Sequence, residues 1–351
     1  MRNQYIEYVW LDNGNGPEGK LIRSKTKIIR TDQPLQYFIE SFETAVPKWN
    51  FDGSSTGQAE THNSELFLKP IARYLDPFRR QEQGIVVLCE VLDENGPHAS
   101  NTRRKMIEAA EKYDYAKKTL FGYEQEYFIL TENDELFGKK KLEEVKQGPY
   151  YCGNGANVTG RTIMDQHTEH CLYMKLLLSG TNFEVMYSQS EYQLGPVPAI
   201  SGADDLWISR WVLNRVCEQH NVKAVFHPKP FNSEKYNGSG MHVNFSTEEM
   251  KHPSSTQKKM AVENIVERLK KNHQKHINIY GSCNEMRLTG KNETCDINTF
   301  KSGFGDRTAS IRIPKNALLD NANTYIEDRR PASNADPYEI VEALLTTAFE
   351  K

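Results

Sequence analysis

Phe121-Gly-Tyr-Glu-Gln-Glu-Tyr-Phe-Ile-Leu130 is the stretch that decides how this chain folds. Its aromatic and β-branched residues favour a strand, and in a strand alternate side chains share a face. Glu124 and Glu126 therefore point one way, while Tyr123 and Tyr127 point the other, toward a core. Two neighbouring carboxylates repel unless cations or protons compensate. Taken alone, the pair reads equally well as a solvated face.

The same alternation recurs downstream. In Gly240-Met-His-Val-Asn-Phe-Ser246, Met241, Val243 and Phe245 form an apolar face, and His242, Asn244 and Ser246 project from the other. In Tyr325-Ile-Glu-Asp-Arg-Arg330, Tyr325, Glu327 and Arg329 share a face. A lone strand histidine is ordinarily structural. Three polar faces ending in Glu, Glu, His, Glu and Arg instead indicate a sheet whose concave side is an acidic funnel with a basic edge. Glu184 and Glu191 add two acids, but their odd spacing sets them on opposite faces of one regular strand. Both reach one site only if the chain breaks at Ser188–Ser190 or forms two adjoining strands. Five carboxylates and one imidazole are hard ligands suited to Mg²⁺ or Mn²⁺, whereas zinc favours more His or Cys. Sites that also orient nucleotide phosphates commonly pair two ions.

A basic group follows: Arg287 in Arg-Leu-Thr-Gly, Arg307 and Arg312 in Asp-Arg-Thr-Ala-Ser-Ile-Arg, then Arg329 and Arg330. Arginine forks match carboxylate and phosphate oxygens and stay charged. Each arginine taken singly fits a surface salt bridge. Acids for metal beside arginines for phosphate is the equipment of phosphoryl transfer.

Outward from these motifs, the first hundred residues read as strand-rich. Ile6 to Leu11 and Leu21 to Ile29 flank a turn, and Gly84 to Leu92 is a buried-strand run. Gly14-Asn-Gly16-Pro-Glu-Gly19 fits GxGxxG, but Pro17 sits inside it and no helix follows, so a hairpin loop is expected instead of a dinucleotide site. Asp93-Glu94-Asn95-Gly96-Pro97 marks a boundary between residues 1–96 and 97–351, and Asn101 caps the next helix. Beyond it, helices are expected at Arg161–Ser179, Asp204–His220, Thr256–Ile279 and Tyr338–Phe349. Strands are expected at Phe121–Leu130, Glu184–Leu194, Gly240–Ser246, Ser310–Ile313 and near Tyr325, and Lys139 to Lys146 as a solvated loop. The class is α+β, a small β-rich domain before a larger catalytic one.

Bulk properties narrow the function. Forty-four basic against 47 acidic residues give a net charge of −3, which argues against nucleic-acid or anionic-membrane partners. Six scattered cysteines without a CxxC pair suit reduced thiols in a cytoplasmic setting. No signal peptide is read at Met1–Asp12, and no run reaches the roughly 18 apolar residues of a membrane helix. There is no Walker A motif, so nucleotide is held another way.

Taken in order, these motifs resemble the glutamine synthetases, the eukaryotic-type branch in particular. Further matching segments are Lys48-Trp-Asn-Phe-Asp-Gly-Ser-Ser-Thr-Gly57, Asp76-Pro-Phe-Arg79, Gly148-Pro-Tyr-Tyr-Cys-Gly153, Pro228-Lys-Pro230, Asn292-Glu-Thr294 and Glu327-Asp-Arg-Arg-Pro-Ala-Ser-Asn334. The resemblance implies a β-grasp-like N-terminal domain on a catalytic α/β domain with a curved antiparallel sheet. It implies ATP-dependent ligation of ammonium to L-glutamate through a γ-glutamyl phosphate, with Mg²⁺ or Mn²⁺ ions, at least two per site. Glu124, His242 and Glu327 would hold the metal beside the transferring phosphate, and Glu126, Glu184 and Glu191 the one near glutamate. Asn237, Gly238, Arg287, Arg307 and Arg329 would grip glutamate. Glu124, through its metal, and Asn244, Ser246, Arg307, Arg312 and Tyr325 would meet ATP. Asp52, Ser55, Tyr151 and Glu293 would form the ammonium pocket. Asp52, Glu293 and Arg329 would serve the chemistry. The family builds each site between subunits, in a decamer of two pentameric rings.

The sequence departs from that pattern in places. Leu120 and Ser190 stand where relatives carry Trp, and Asn133–Gln147 lacks their Gly/Pro/Trp-rich loop. A ligase for another amine would alter Asp52, Ser55 and Glu293, which are intact. A guanidino kinase gives Asn50-Phe-Asp-Gly-Ser-Ser55 no role, and a non-catalytic relative should have lost metal ligands.

Overall fold

The computed structural model describes residues 1–14, 16–79, 83–113 and 118–349. Strands β1 (Arg2–Leu11) and β2 (Ile22–Thr31) form the expected antiparallel hairpin around the Gly14–Gly19 turn, whose Asn15 lies outside the described residues. With β3 (Trp49–Asp52), β4 (Glu65–Leu75) and β5 (Gly84–Asp93) they make a sheet of order β2-β1-β5-β4-β3, in which β1 and β5 run parallel. Short β6 (Gly96–Pro97) folds back onto β5 before the chain departs.

Period-two alternation divides this sheet between two cores. Ile6, Tyr8 and Trp10 of β1 and Ile85, Val87, Cys89 and Val91 of β5 pack under α1 (Leu35–Glu40) and α2 (Phe42–Ala45). Their neighbours Val9, Val86 and Leu88 point the opposite way, into the core of the larger unit. That face is also tied by charge. From α3 (Thr102–Lys112), capped by Asn101 as expected, Arg103 donates to Glu90 of β5 at 2.9 Å and to Asp204 at 2.8 and 2.9 Å. The first sheet is thus packed against the catalytic unit as one body.

The second sheet runs β12 (Ser302–Phe304), β13 (Ile311–Ile313), β14 (Ile326–Asp328), β11 (Met241–Ser246), β7 (Leu120–Thr131), β9 (Gln189–Pro198), β8 (Leu178–Phe183), with β10 (Val222–Val225) also on β7. All pairs are antiparallel except β12 with β13. Its convex side, with Phe121, Tyr123, Tyr127, Met241, Val243 and Phe245, is buried with α5 (Ala199–Gln219) and α8 (Pro337–Phe349). The 139–146 segment is mostly exposed, pinned by buried Val145.

Some element boundaries differ from expectation. The helix expected over Arg161–Ser179 stops as α4 at Tyr173 (Arg161–Tyr173), because Lys175 adopts φ +65° and the Leu176–Leu178 run turns out into edge strand β8. A leucine run fits either element, and lysine gives no warning of a left-handed break. The single strand expected over Glu184–Leu194 is replaced by β8 and β9, joined through a turn in which Ser188 has φ +67°. The helix expected from Asp204 begins instead at Ala199, directly after Pro198. That expected over Thr256–Ile279 breaks at Asn272 into α6 (Ser255–Lys271) and α7 (His273–Ile277).

Candidate active site

Strand register assembles the site. Across β11 and β7, His242 lies opposite Glu124; across β11 and β14, Asn244 lies opposite Glu327; across β7 and β9, Glu126 lies opposite Glu191; across β13 and β14, Arg312 lies opposite Glu327. Directly opposed residues have their Cβ atoms about 5 Å apart, so each pair can share a ligand. The turn between β8 and β9 carries Glu184 to the same cavity, which answers the spacing problem.

That cavity, of about 250 Å³, is lined by all six acidic and imidazole ligand candidates. Nδ1 of His242 is buried without a hydrogen-bond partner, 3.5 Å from Glu124 Oε2 and 3.6 Å from Glu327 Oε1. Among the described residues, Glu124, His242 and Glu327 form the one trio whose ligand atoms lie within 4.8 Å of one another. Burial, reinforced by Arg329, holds the His242 pKa well below its ordinary value, leaving the neutral imidazole that a metal needs. A buried nitrogen lone pair between two carboxylates fits a divalent cation.

The second set is less tightly drawn. Glu126 accepts from the Gly240 N–H at 2.8 Å and from Gln189 Nε2 at 3.1 Å. Burial, with Glu184 beside it, pushes its pKa up to about 8. Glu191 is pushed well up by burial and then by Glu124, Glu126 and Glu184; burial also raises Glu184. Burial outweighs the nearby Arg287, Arg307 and Arg329 at these acids, and a second cation among them would favour their ionised forms.

On the basic side, Glu327 is gripped by Arg312 and Arg329, each at 2.5 Å. Arg287 donates to the carbonyls of Arg329, Arg330 and Pro331 at 2.8–3.0 Å, and burial lowers its pKa to about 10. Gly238 runs close beneath it: an added Cβ would lie 2.3 Å from the Pro228 carbonyl oxygen and 2.7 Å from Arg287 Cγ, so only glycine fits. Asn237, Tyr151, Glu293 and Arg307 line the same cavity, with Arg307 3.7 Å from Glu293.

Asn244, Ser246 and Tyr325 lie around an adjoining cavity of about 400 Å³, more apolar and shared with Leu120. Asn244 stands between the two, its Nδ2 donating to Glu124 at 2.9 Å. Asp52 and Ser55 line neither. They sit at the end of edge strand β3, where the Ser54 and Ser55 hydroxyls donate to Asp52 at 2.7 and 2.9 Å and hold its carboxyl down to about 2.

Other residues escaped the sequence reading. Gln189 bridges Glu126 to the Gly238 carbonyl at 3.0 Å, and Gln193 donates to Asn182 at 2.7 Å and to Glu191. Gln193 was within reach, being two residues from Glu191 on the same strand. Behind the sheet, buried Arg210 donates to Gln125, Ser333 and Ala335, bracing the backbone beneath Glu124 and Glu126. An arginine on an apolar helix gave no sign of that long-range partner.

The chain matches the family models described as "Glutamine synthetase, beta-Grasp domain" over residues 4–94 and "Glutamine synthetase, catalytic domain" over residues 100–271. It is 44% identical to a glutamine synthetase of Eremothecium gossypii, over 97% of this chain and 88% of that protein. It is 42% identical to that of Saccharomyces cerevisiae, over 97% and 88%. Against the chloroplastic enzyme of Chlamydomonas reinhardtii it is 42% identical, over 98% and 90%. The fold is shared with the cryoEM structure of Plasmodium falciparum glutamine synthetase at TM-score 0.76 and 20% identity, covering 99% of this chain and 72% of that one.

Proposed function

The chain belongs to the glutamine synthetase family, a glutamate–ammonia ligase, and from that premise we propose how its own residues carry the reaction. The observation that carries the reading is His242 Nδ1, buried and unpartnered between Glu124 and Glu327 at the edge of an arginine cluster.

In this reading Glu124, His242 and Glu327 hold one divalent ion, and Glu126, Glu184 and Glu191 another. Bound there, Mg²⁺ or Mn²⁺ supplies charge neutralisation for phosphoryl transfer. Arg287 and Arg329, with Asn237 and Gly238, seat glutamate with its γ-carboxylate toward the acids. ATP lies across both cavities, its base against Leu120 and Tyr325, its ribose and phosphates along Asn244, Ser246, Arg312 and Arg307. The γ-carboxylate oxygen attacks the terminal phosphorus and ADP leaves, so a poor electrophile becomes an acyl phosphate. Arg307 and Arg329 balance the charge that moves.

Ammonium is inert until deprotonated. Asp52 and Glu293 attract the cation, with Ser55 and Tyr151 beside them, and a carboxylate takes one proton. Ammonia then attacks the acyl carbon and phosphate departs. Because Asp52 and Ser55 line neither cavity of their own chain, the reading is supported in its corollary: the loop belongs to a neighbour's site, in a ring assembly, proposed as two stacked pentamers. Among the described residues no helix is long and apolar enough to cross a membrane. We propose a cytoplasmic location, in keeping with six cysteines that are all free thiols.

ADP release measured against both glutamate and ammonium, with product identification, tests the reaction. Release dependent on both substrates, with glutamine formed, is expected; dependence on a different amine, or none, overturns it.

A further inference from the structure

We infer that Glu234, Lys291 and Asn292 are positioning residues that fix Glu293 over the ammonium site by tethering its loop to the loop that carries Asn237 and Gly238. The inference rests on the reading of Glu293 given above.

Glu293 sits in an exposed loop whose base is closed by the Thr289–Asp296 bridge. Asn292 and Glu293 both adopt left-handed backbone, φ 53° and 61°. Asparagine tolerates that conformation, but for glutamate it is strained, so an outside contact must hold it. Three contacts do. Lys291 Nζ lies 2.8 Å from Glu234 Oε2. Asn292 Nδ2 donates to the Glu234 carbonyl at 3.0 Å and to the Tyr236 carbonyl at 3.2 Å. The Tyr236 carbonyl also accepts from Lys229 Nζ, and the next residue, Asn237, accepts from Gln147 Nε2 at 2.9 Å. From the opposite side the Arg307 guanidinium, 3.7 Å away, steadies the Glu293 carboxylate.

Glu293 is thereby tied to the segment that meets glutamate, so seating glutamate fixes where the ammonium carboxylate stands. Losing the tether moves Glu293 without touching the metal ligands. Two effects follow: weaker capture of ammonium, and water reaching the acyl phosphate, which returns glutamate and phosphate and wastes the ATP.

The test is Glu234→Lys, Lys291→Glu and their double variant, beside Asn292→Ala and Asn292→Gly. Read-outs are KM for ammonium, KM for glutamate, and ADP released per glutamine formed. An exposed ion pair is worth little, so each single charge reversal should raise KM for ammonium only about threefold. It should also raise ADP per glutamine above the wild-type ratio, leave KM for glutamate unchanged, and be rescued by the double variant. Asn292→Gly keeps the left-handed backbone and removes the amide, so a rise of about tenfold in that variant isolates the side-chain tether. Unchanged ammonium KM in the single reversals, or a double variant worse than either, overturns the inference while leaving the ligase reading intact. A wild-type protein that forms no glutamine overturns both.

Discussion

Glu124 is partly exposed at the mouth of an acidic funnel, and its loss relieves repulsion more than it removes packing. Glu124→Ala should therefore cut kcat by about 10³-fold or more. Its Tm should stay within about 3 °C of wild type or rise, read by thermal melting. Near-normal turnover at saturating Mg²⁺ and Mn²⁺ would show that the ligand assignment is wrong. Leu120 gives a change in the opposite direction. It lines the roughly 400 Å³ cavity with Tyr325 but offers no ring face, and a stacking contact is worth about 1 kcal/mol. Leu120→Trp should lower KM for ATP about fivefold and leave that for glutamate alone; an unchanged KM for ATP would show that the cavity already compensates. At this scale the sequence was informative wherever chemistry and alternation coincided, as at Glu124, His242 and Glu327. It was silent on Gln189 and Arg210, whose partners lie 31 to 125 residues away and follow from no local pattern.

Among the elements, the strands decide function through register, since a slip of one residue would turn His242 and Glu327 to the core side. Alternation foretold those faces, but the break at Lys175 and the start of α5 at Ala199 depend on tertiary packing and were not legible. Helix α7 shows how such packing couples to pH. Its His276, buried against Tyr280 and Thr347 with Arg330 nearby, has its pKa driven from 6.5 down to about 3, first by burial and then by Arg330. The unfolded chain binds a proton there near pH 6.5 and the folded chain does not. The associated stability is thus complete above pH 6.5 and drains away as pH falls toward 3, by about 1.4 kcal/mol per pH unit. His276→Gln should melt lower at neutral pH yet lose less Tm between pH 6.5 and 5 than wild type. Parallel pH profiles for the two proteins would refute this.

For the whole molecule, the separation of Asp52 and Ser55 from the cavity of their own chain sets the prediction. Asp52→Ala and Arg329→Ala should each be nearly inactive. Mixed at random in one ring, about a quarter of interfaces should pair an intact loop with an intact arginine. Glutamine formation should then recover on co-assembly, and verified mixed rings as dead as either parent would place the site within one subunit. The fork of Arg103 on Glu90 and Asp204, with Val9, Val86 and Leu88 buried in the larger core, has a geometric bearing on that assembly. In the ring proposed above, a first sheet fixed by Arg103 would offer its β3 loop to the next copy at one angle, and equal angles close a circle only at the copy number that completes a full turn. Stoichiometry would then be written inside the subunit, in the tilt of one sheet on another, as well as at the seams between subunits. Arg103→Lys keeps the charge but gives up the fork, and native mass spectrometry should find it in a spread of ring sizes where the wild type shows one. A single unchanged size would mean that the seams alone do the counting.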